Sequence, residues 1–245
     1  MKVTAISLDI AWEDKQKNFA KIESIFSQIE NPGDLFVLLE MFSTGFTMNT
    51  QLAEDAAGET LKWMCKFARE NKIAVFCSAS FNIDPMYNKV ARDFVRAASL
   101  RGYGIVSGGT IKGTMGEISD ELHACGGYHL GVIPRFMEQY VYPELSEVVW
   151  TDTMAERKTL LREGTCAVVA LPGGIGTLDE LIETFALIHL KQYFGKIAVL
   201  DHEGFYQPLK ALLQHYVQTG MLSEETMSRI MFAETPDQLL DMLED

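Results

Sequence analysis

The sequence predicts an α/β protein: a doubly wound, Rossmann-like parallel sheet with helices on both faces, preceded by a βαβα segment packed against it. Three observations lead there. Short apolar runs of strand length alternate with longer runs of helical period along most of the chain. Such alternation implies parallel strands joined by right-handed helical crossovers. Residues 166–183 then compress a buried-type strand, a Gly-rich turn and a helix start into one short stretch, as at ligand sites of doubly wound sheets.

The elements follow in order. Residues 3–10 read as a strand. Residues 14–30 place Phe19, Ile22, Ile25, Phe26 and Ile29 on one helical face, and Asn31-Pro32-Gly33 ends that helix. Leu35 to Leu39 is a second buried strand, closed by Glu40. Residues 59–71 form a helix with Leu61, Met64, Cys65 and Ala68 inward. From Lys72 a new pattern begins, with a strand and the small-residue turn Cys77-Ser78-Ala79-Ser80. Residues 82–102 are helical with Tyr87, Val90, Ala91, Phe94 and Ala98 inside. Strands follow at 103–109, 128–134, 146–150, 166–171 and 196–204, with a Gly-rich turn and helix at 108–127. Residues 205–220 form a helix with Phe205, Leu209, Leu212 and Tyr216 inward, and residues 236–245 a short amphipathic one.

Composition narrows the function classes. The net charge is −13, from 21 basic and 34 acidic side chains, which argues against a nucleic-acid partner. A small phosphorylated ligand needs only a local positive site and stays open. Mean hydropathy near zero and no long apolar run argue against a membrane span. Asp9, Glu13 and Asp14 interrupt any signal-peptide core. Cys65, Cys77, Cys125 and Cys166 show no C-x-x-C spacing, and the five histidines stand apart from metal-ligand partners. The expectation is a cytoplasmic protein with reduced thiols and neither metal nor cofactor.

The chemistry concentrates at Pro172-Gly173-Gly174-Ile175-Gly176-Thr177. Unpaired N–H groups and the positive end of a helix dipole suit an anion there. Thr177 can cap a helix opening at that residue, and Glu180 completes a capping-box pattern. Glu180 is therefore either a cap or a functional carboxylate. Upstream, Arg157 and Lys158 stand together on a helix: either two solvated surface cations or a phosphate clamp.

Taken together, Met154-Ala155-Glu156-Arg157-Lys158 and the PGGIGTLDE run of residues 172–180 resemble the RK…PGGxGTxxE signature of the LOG ("lonely guy") phosphoribohydrolases, often mislabelled lysine decarboxylases. The resemblance spans about residues 72–245. Cys77 to Ser80 match the family's first turn, and Gly108 to Gly116 its GGGxxGLMG turn. In that second turn Thr110 and Thr114 replace a Gly and a Leu, and Ala155 stands where the family has a His. The resemblance implies hydrolysis of the N-glycosidic bond of a nucleoside 5′-monophosphate, with a homodimer or higher homo-oligomer as the working form. Glu180 and Arg157 take the catalytic positions. Lys158, Gly173, Gly174, Gly176, Thr177, Glu183, Ser78, Gly108, Gly109, Gly113 and Met115 take substrate- and phosphate-binding positions. Molybdenum-cofactor carriers share this fold and offer a binding-only alternative. Lysine decarboxylation would need a pyridoxal-phosphate lysine, and no S-x-H-K-like site is present.

Residues 1 to about 80 carry a second resemblance, with 1–71 read as a segment of its own. LLEMFSTGFTMN at 38–49 and GETLKWMCKFARE at 58–70 look like the opening of a nitrilase-superfamily amidase, with Glu40 at that family's general-base position. The companion Lys and nucleophilic Cys have no counterpart, and a Glu alone has no thiolate to activate. The segment reads as a structural remnant whose apolar face must be covered by other protein. Residues 72–245 alone are accordingly expected to aggregate or to change oligomeric state, read by size exclusion and thermal melting beside the full chain. Unchanged size and melting temperature would mark the segment as a dispensable appendage.

Overall fold

The computed structural model describes residues 3–26, 28–29, 35–54, 58–61, 63–64 and 72–244. The chain divides into two compact units, Met1–Ala68 and Arg69–Asp245.

The first unit contains β1 (Val3–Ala5), α1 (Lys15–Phe26) and β2 (Leu35–Val37), with β1 and β2 paired in parallel. Both strands are shorter than the apolar runs suggest, with the paired register running over Val3–Ala5 and Leu35–Val37. Ile6, Phe19, Ile22 and Phe42 form the core, and Trp63 stacks on Phe19 with ring centroids 4.5 Å apart. Residues 59–61 and 63–64 are helical, but Leu61 and Met64 are exposed, so Trp63 and not those two marks the inward face. The Asn31-Pro32-Gly33 stop, Cys65 and Ala68 lie outside the described residues. Asn18 is buried yet satisfied: its Nδ2 donates to the carbonyls of Ala11 and Ser43, and its Oδ1 accepts from the Ala11 N–H. Glu40 is exposed in the turn after β2.

The second unit is a seven-stranded, all-parallel sheet. Its strands are β3 (Lys72–Phe76), β4 (Gly104–Ser107), β5 (His129–Pro134), β6 (Glu147–Thr151), β7 (Ala167–Ala170), β8 (Lys196–Leu200) and β9 (Ile230–Ala233), in the order 6-5-4-3-7-8-9. Its helices are α2 (Pro85–Leu100), α3 (Gly113–Cys125), α4 (Met154–Arg162), α5 (Ile175–His189), α6 (Gln207–Gln218), α7 (Glu224–Met227) and α8 (Pro236–Glu244). Successive strand residues feed opposite faces. Ile73, Val75 and Cys77 pack with α2, α3 and α8, whereas Ala74 and Phe76 pack with α4, α5 and α6. Both faces are covered, which is why the strands read as continuous apolar runs.

Two sequence expectations shift. The edge strand β9 has no counterpart in the sequence reading. In α6, Leu213 is the buried residue, while Leu212 and Tyr216 are exposed. The second-unit strands otherwise fall where expected, with ends shifted by up to four residues. Among the described residues, no helix is long and apolar enough to cross a membrane.

The chain leaves β3 toward β6 on one side, then returns to β7 on the other. The direction of winding reverses between β3 and β7. In open α/β sheets the crevice beyond the carboxyl ends of the strands at such a point is the ligand position.

Candidate active site

Three turns meet at that crevice. The first follows β3. Ser78 is buried; its Oγ accepts from the Ser80 N–H at 3.0 Å, and its carbonyl accepts from the Met115 N–H at 3.3 Å. The second, between β4 and α3, carries Gly108, Gly109 and Gly113. Gly113 has φ +52°, and a side chain there would strike the backbone of Ala79 and Ser80 within 2.7 Å. A glycine is needed because two turns touch through it. The Gly109 N–H donates to Ser107 Oγ, which lies 2.7 Å from Nε2 of the buried His129. Burial pushes His129 down to about 4, so the imidazole is neutral at ordinary pH. His129 stands alone in sequence, and no motif signals this supporting role.

The third turn opens α5. The helix begins at Ile175 with Gly174 as its N-cap residue, and no side chain caps it. Thr177 therefore sits inside the first turn, and the capping-box reading of Thr177 and Glu180 does not hold. Gly173, Gly174 and Gly176 all lie outside the left-handed region, so their role is not positive φ. Open space surrounds the Cα atoms of Gly174 and Gly176, which bares their backbone. The first helical bond of α5 runs from the Leu178 N–H to the Gly174 carbonyl, leaving the N–H groups before it directed outward. Thr177 packs its side chain on Gly173, and its buried Oγ1 has no hydrogen-bond partner among the described residues.

Arg157 reaches into the same place from α4. It is buried, with 7% exposure. Its Nε donates to the Val132 carbonyl at 3.0 Å and its Nη1 to Glu180 Oε1 at 2.8 Å. Nη2 lies over Gly108, where a Cβ would overlap it and would meet Met115 Sδ at 2.6 Å. The surface-cation reading of Arg157 is thereby excluded. Burial pushes Glu180 above the usual carboxylate range, and the Arg157 guanidinium opposes that rise. Cys77 follows β3 directly, beside this pair. Its burial, then the Glu180 charge, push the thiol up, so it is no thiolate nucleophile at neutral pH.

Lys158 and Glu183 lie differently from Arg157 and Glu180. Lys158 Nζ donates to Asp179 Oδ2 at 3.0 Å and also pairs with Glu183. Arg162 Nη1 sits 2.9 Å from Glu183 Oε1, a charge contact whose N–H is not well aimed at the oxygen. Glu183 is thus held between two cations on α4. Burial would raise its carboxyl, but Lys158 and Arg162 outweigh that and hold it below the usual range. The Glu183 and Asp179 partners keep Lys158 firmly charged. A Schiff-base lysine needs a neutral amine, so Lys158 does not fit a pyridoxal-phosphate role. Lys112, in the second turn, stacks its ammonium on the Tyr140 ring instead. Of the three residues that depart from the family's pattern, Thr110 and Thr114 are engaged within the fold. Thr110 Oγ1 contacts Met115 Sδ, and Thr114 Oγ1 donates to Asn88 Oδ1 at 2.8 Å.

The model of the family described as possible lysine decarboxylase matches residues 115–243, and that of carbon-nitrogen hydrolase matches residues 2–91. A cytokinin riboside 5′-monophosphate phosphoribohydrolase of Mycobacterium marinum is 35% identical, over 69% of this chain and 90% of its own. Its namesake from Mycobacterium tuberculosis is also 35% identical, over 65% of this chain and 86% of its own. Among solved structures, a molybdenum cofactor binding protein from Rippkaea orientalis superposes with TM-score 0.53 at 19% identity, covering 71% of this chain and 95% of that one; this likeness concerns the fold alone. The family model covers more than half of the chain, and the mycobacterial relatives are 35% identical over 69% and 65% of it: the chain belongs to the LOG family, whose model bears the possible lysine decarboxylase description.

Proposed function

We propose that this protein hydrolyses the N-glycosidic bond of a nucleoside 5′-monophosphate, a cytokinin riboside monophosphate or AMP, giving free base and ribose 5-phosphate. The observation that carries the reading is the buried Arg157–Glu180 pair facing the open N-terminus of α5. The phosphate takes the N–H groups at the start of α5 and the unpartnered Thr177 hydroxyl. The sugar then lies toward Glu180. The bond from C1′ to the base nitrogen breaks with its electron pair leaving on the base, and the ribose passes through an oxocarbenium-like state. Ionised Glu180 stabilises that cation, takes the proton of the water that adds to C1′ and passes it on to the departed base nitrogen, which restores the carboxylate. Its raised pKa suits the role, since a base poised nearer neutrality gives up and takes protons readily. Arg157 orients the carboxylate. Ser78, Gly108, Gly109, Gly113 and Met115 form the opposite wall. Binding the phosphate remotely lowers the barrier at C1′.

A binding-only role like that of the cofactor carrier of similar fold would not require a desolvated carboxylate in the crevice; Glu180 favours the enzyme. The same reading includes a cytoplasmic homodimer or higher homo-oligomer. An apolar strip on α5 and α6, including Ile182, Leu212 and Tyr216, supports a second copy as its cover.

Incubation with a panel of nucleoside monophosphates is expected to release base and ribose 5-phosphate. Glu180→Gln keeps the shape and removes the charge, so turnover should fall by ~10²-fold or more with a nearly unchanged melting temperature. Near-normal turnover would reduce Glu180 to a structural partner of Arg157. Adenosine should be a far poorer substrate than AMP, and equal kcat/KM for the two would remove the phosphate assignment.

Gly108→Ala places a methyl group where Arg157 Nη2 and Met115 Sδ now lie. Displacing a positioned group by about 1 Å can cost ~10²-fold in rate. The expected result is a large drop in kcat with circular dichroism and melting close to wild type. Retained kcat would show that the position of Arg157 is not critical.

A further inference from the structure

Six charged groups lie along the seam between α4 and α5, and only two of them face the crevice. Arg157 pairs with Glu180. One residue on, Lys158 reaches the same helix α5 but takes Asp179 and Glu183, which flank Glu180 in sequence. Arg162, one turn further along α4, takes Glu183 from the other side. Asp179, Glu180 and Glu183 lie within about 100° of one another round α5, and all three reach α4. The two contacts of Lys158 hold that face of α5 against α4, and so help to fix where Glu180 points.

From this geometry we infer that Lys158 is a positioning residue for Glu180, acting through Asp179 and Glu183 and not by contact with the substrate phosphate. The inference rests on the catalytic reading of Glu180. Lys158 has a second effect through space. The charged groups acting on Glu180 are Arg157 and Lys158 from α4, Asp179 from its own helix, and the neighbouring Cys77 directly after β3. Arg157 and Lys158 favour the ionised carboxylate, Asp179 opposes it, and Cys77 is neutral at working pH. With Lys158 gone, the charge of Asp179 is uncompensated and Glu180 ionises at higher pH. The sign is fixed: the acidic limb of the rate profile moves upward in pH.

The test uses the full chain and AMP. Lys158→Met is expected to lower kcat about tenfold or more, consistent with a misplaced catalytic group. KM for AMP and the preference for AMP over adenosine should stay within about twofold of wild type. The acidic limb of kcat should shift to higher pH. Lys158→Arg should restore most of the loss, because it keeps the charge and the reach to Asp179. Asp179→Asn alone should move the same limb to lower pH, and this variant decides the matter should Lys158→Met fold poorly. A raised KM for AMP at unchanged kcat, with lost preference for the phosphorylated substrate and an unmoved limb, would make Lys158 a phosphate ligand and overturn the inference. Glu180→Gln is measured alongside: normal turnover there overturns the reading of Glu180 itself, and this inference with it.

Discussion

The ion pair between Arg157 and Glu180 is the constraint on which the site depends. Both side chains are largely withdrawn from water. A pair of buried charges gains little net stability over an apolar pair, but removing one partner leaves the other stranded at high cost. The fold therefore surrounds the guanidinium with fixed contacts: the Val132 carbonyl on Nε, Glu180 on Nη1 and the bare face of Gly108 against Nη2. A planar fork can meet these at once, which a lysine at 157 could not. The outcome is a carboxylate held in one orientation and raised toward neutrality by burial, beside a helix N-terminus that attracts anions.

The rest of the second unit follows from the need to bring these pieces together. Arg157 arrives on the crossover that returns from the edge strand β6 to the centre, and Glu180 on the helix that leaves β7. Gly113 lets the β4 turn lie on the β3 turn, and the Ser107–His129 contact supports the β4 turn from below. Tyr206 donates its hydroxyl to the Leu171 carbonyl, steadying the entry to the third turn from α6. Each contact joins a different strand end to the crevice. The reversal of winding between β3 and β7 is what makes them neighbours.

Much of this was legible in the sequence. The parallel sheet followed from the alternating periods, and the three turns from their glycines and small residues. Arg157 and Glu180 were singled out by the resemblance of MAERK and PGGIGTLDE to the LOG signature, since the residues alone left a surface cation and a helix cap open. Other features were hidden for physical reasons. The start of α5 was read two residues late, because Gly174-Ile175-Gly176 looks like loop until tertiary contacts hold it helical. Helical periodicity gives a repeat but only a loose phase, so Leu212 and Tyr216 were placed inward where Leu213 is. The four-residue edge strand β9 offers too short a run to separate from loop. Lys158 and Glu183 carry the right charges for a phosphate and a ribose, and only coordinates reveal that they pair with each other. The first unit was legible as βαβα with Phe19 and Ile22 in its core, and the exposed Glu40 could not be told from a buried one.

The central claim is that phosphate and carboxylate act at opposite ends of one ribose in the β3–β7 crevice. A crystal structure with ribose 5-phosphate bound tests it most directly. The account predicts phosphate oxygens on the N–H groups of residues 173–177 and on Thr177 Oγ1, with C1′ beside the Glu180 carboxylate and Arg157 still paired to it. A phosphate bound away from the start of α5, or a C1′ directed away from Glu180, would contradict it.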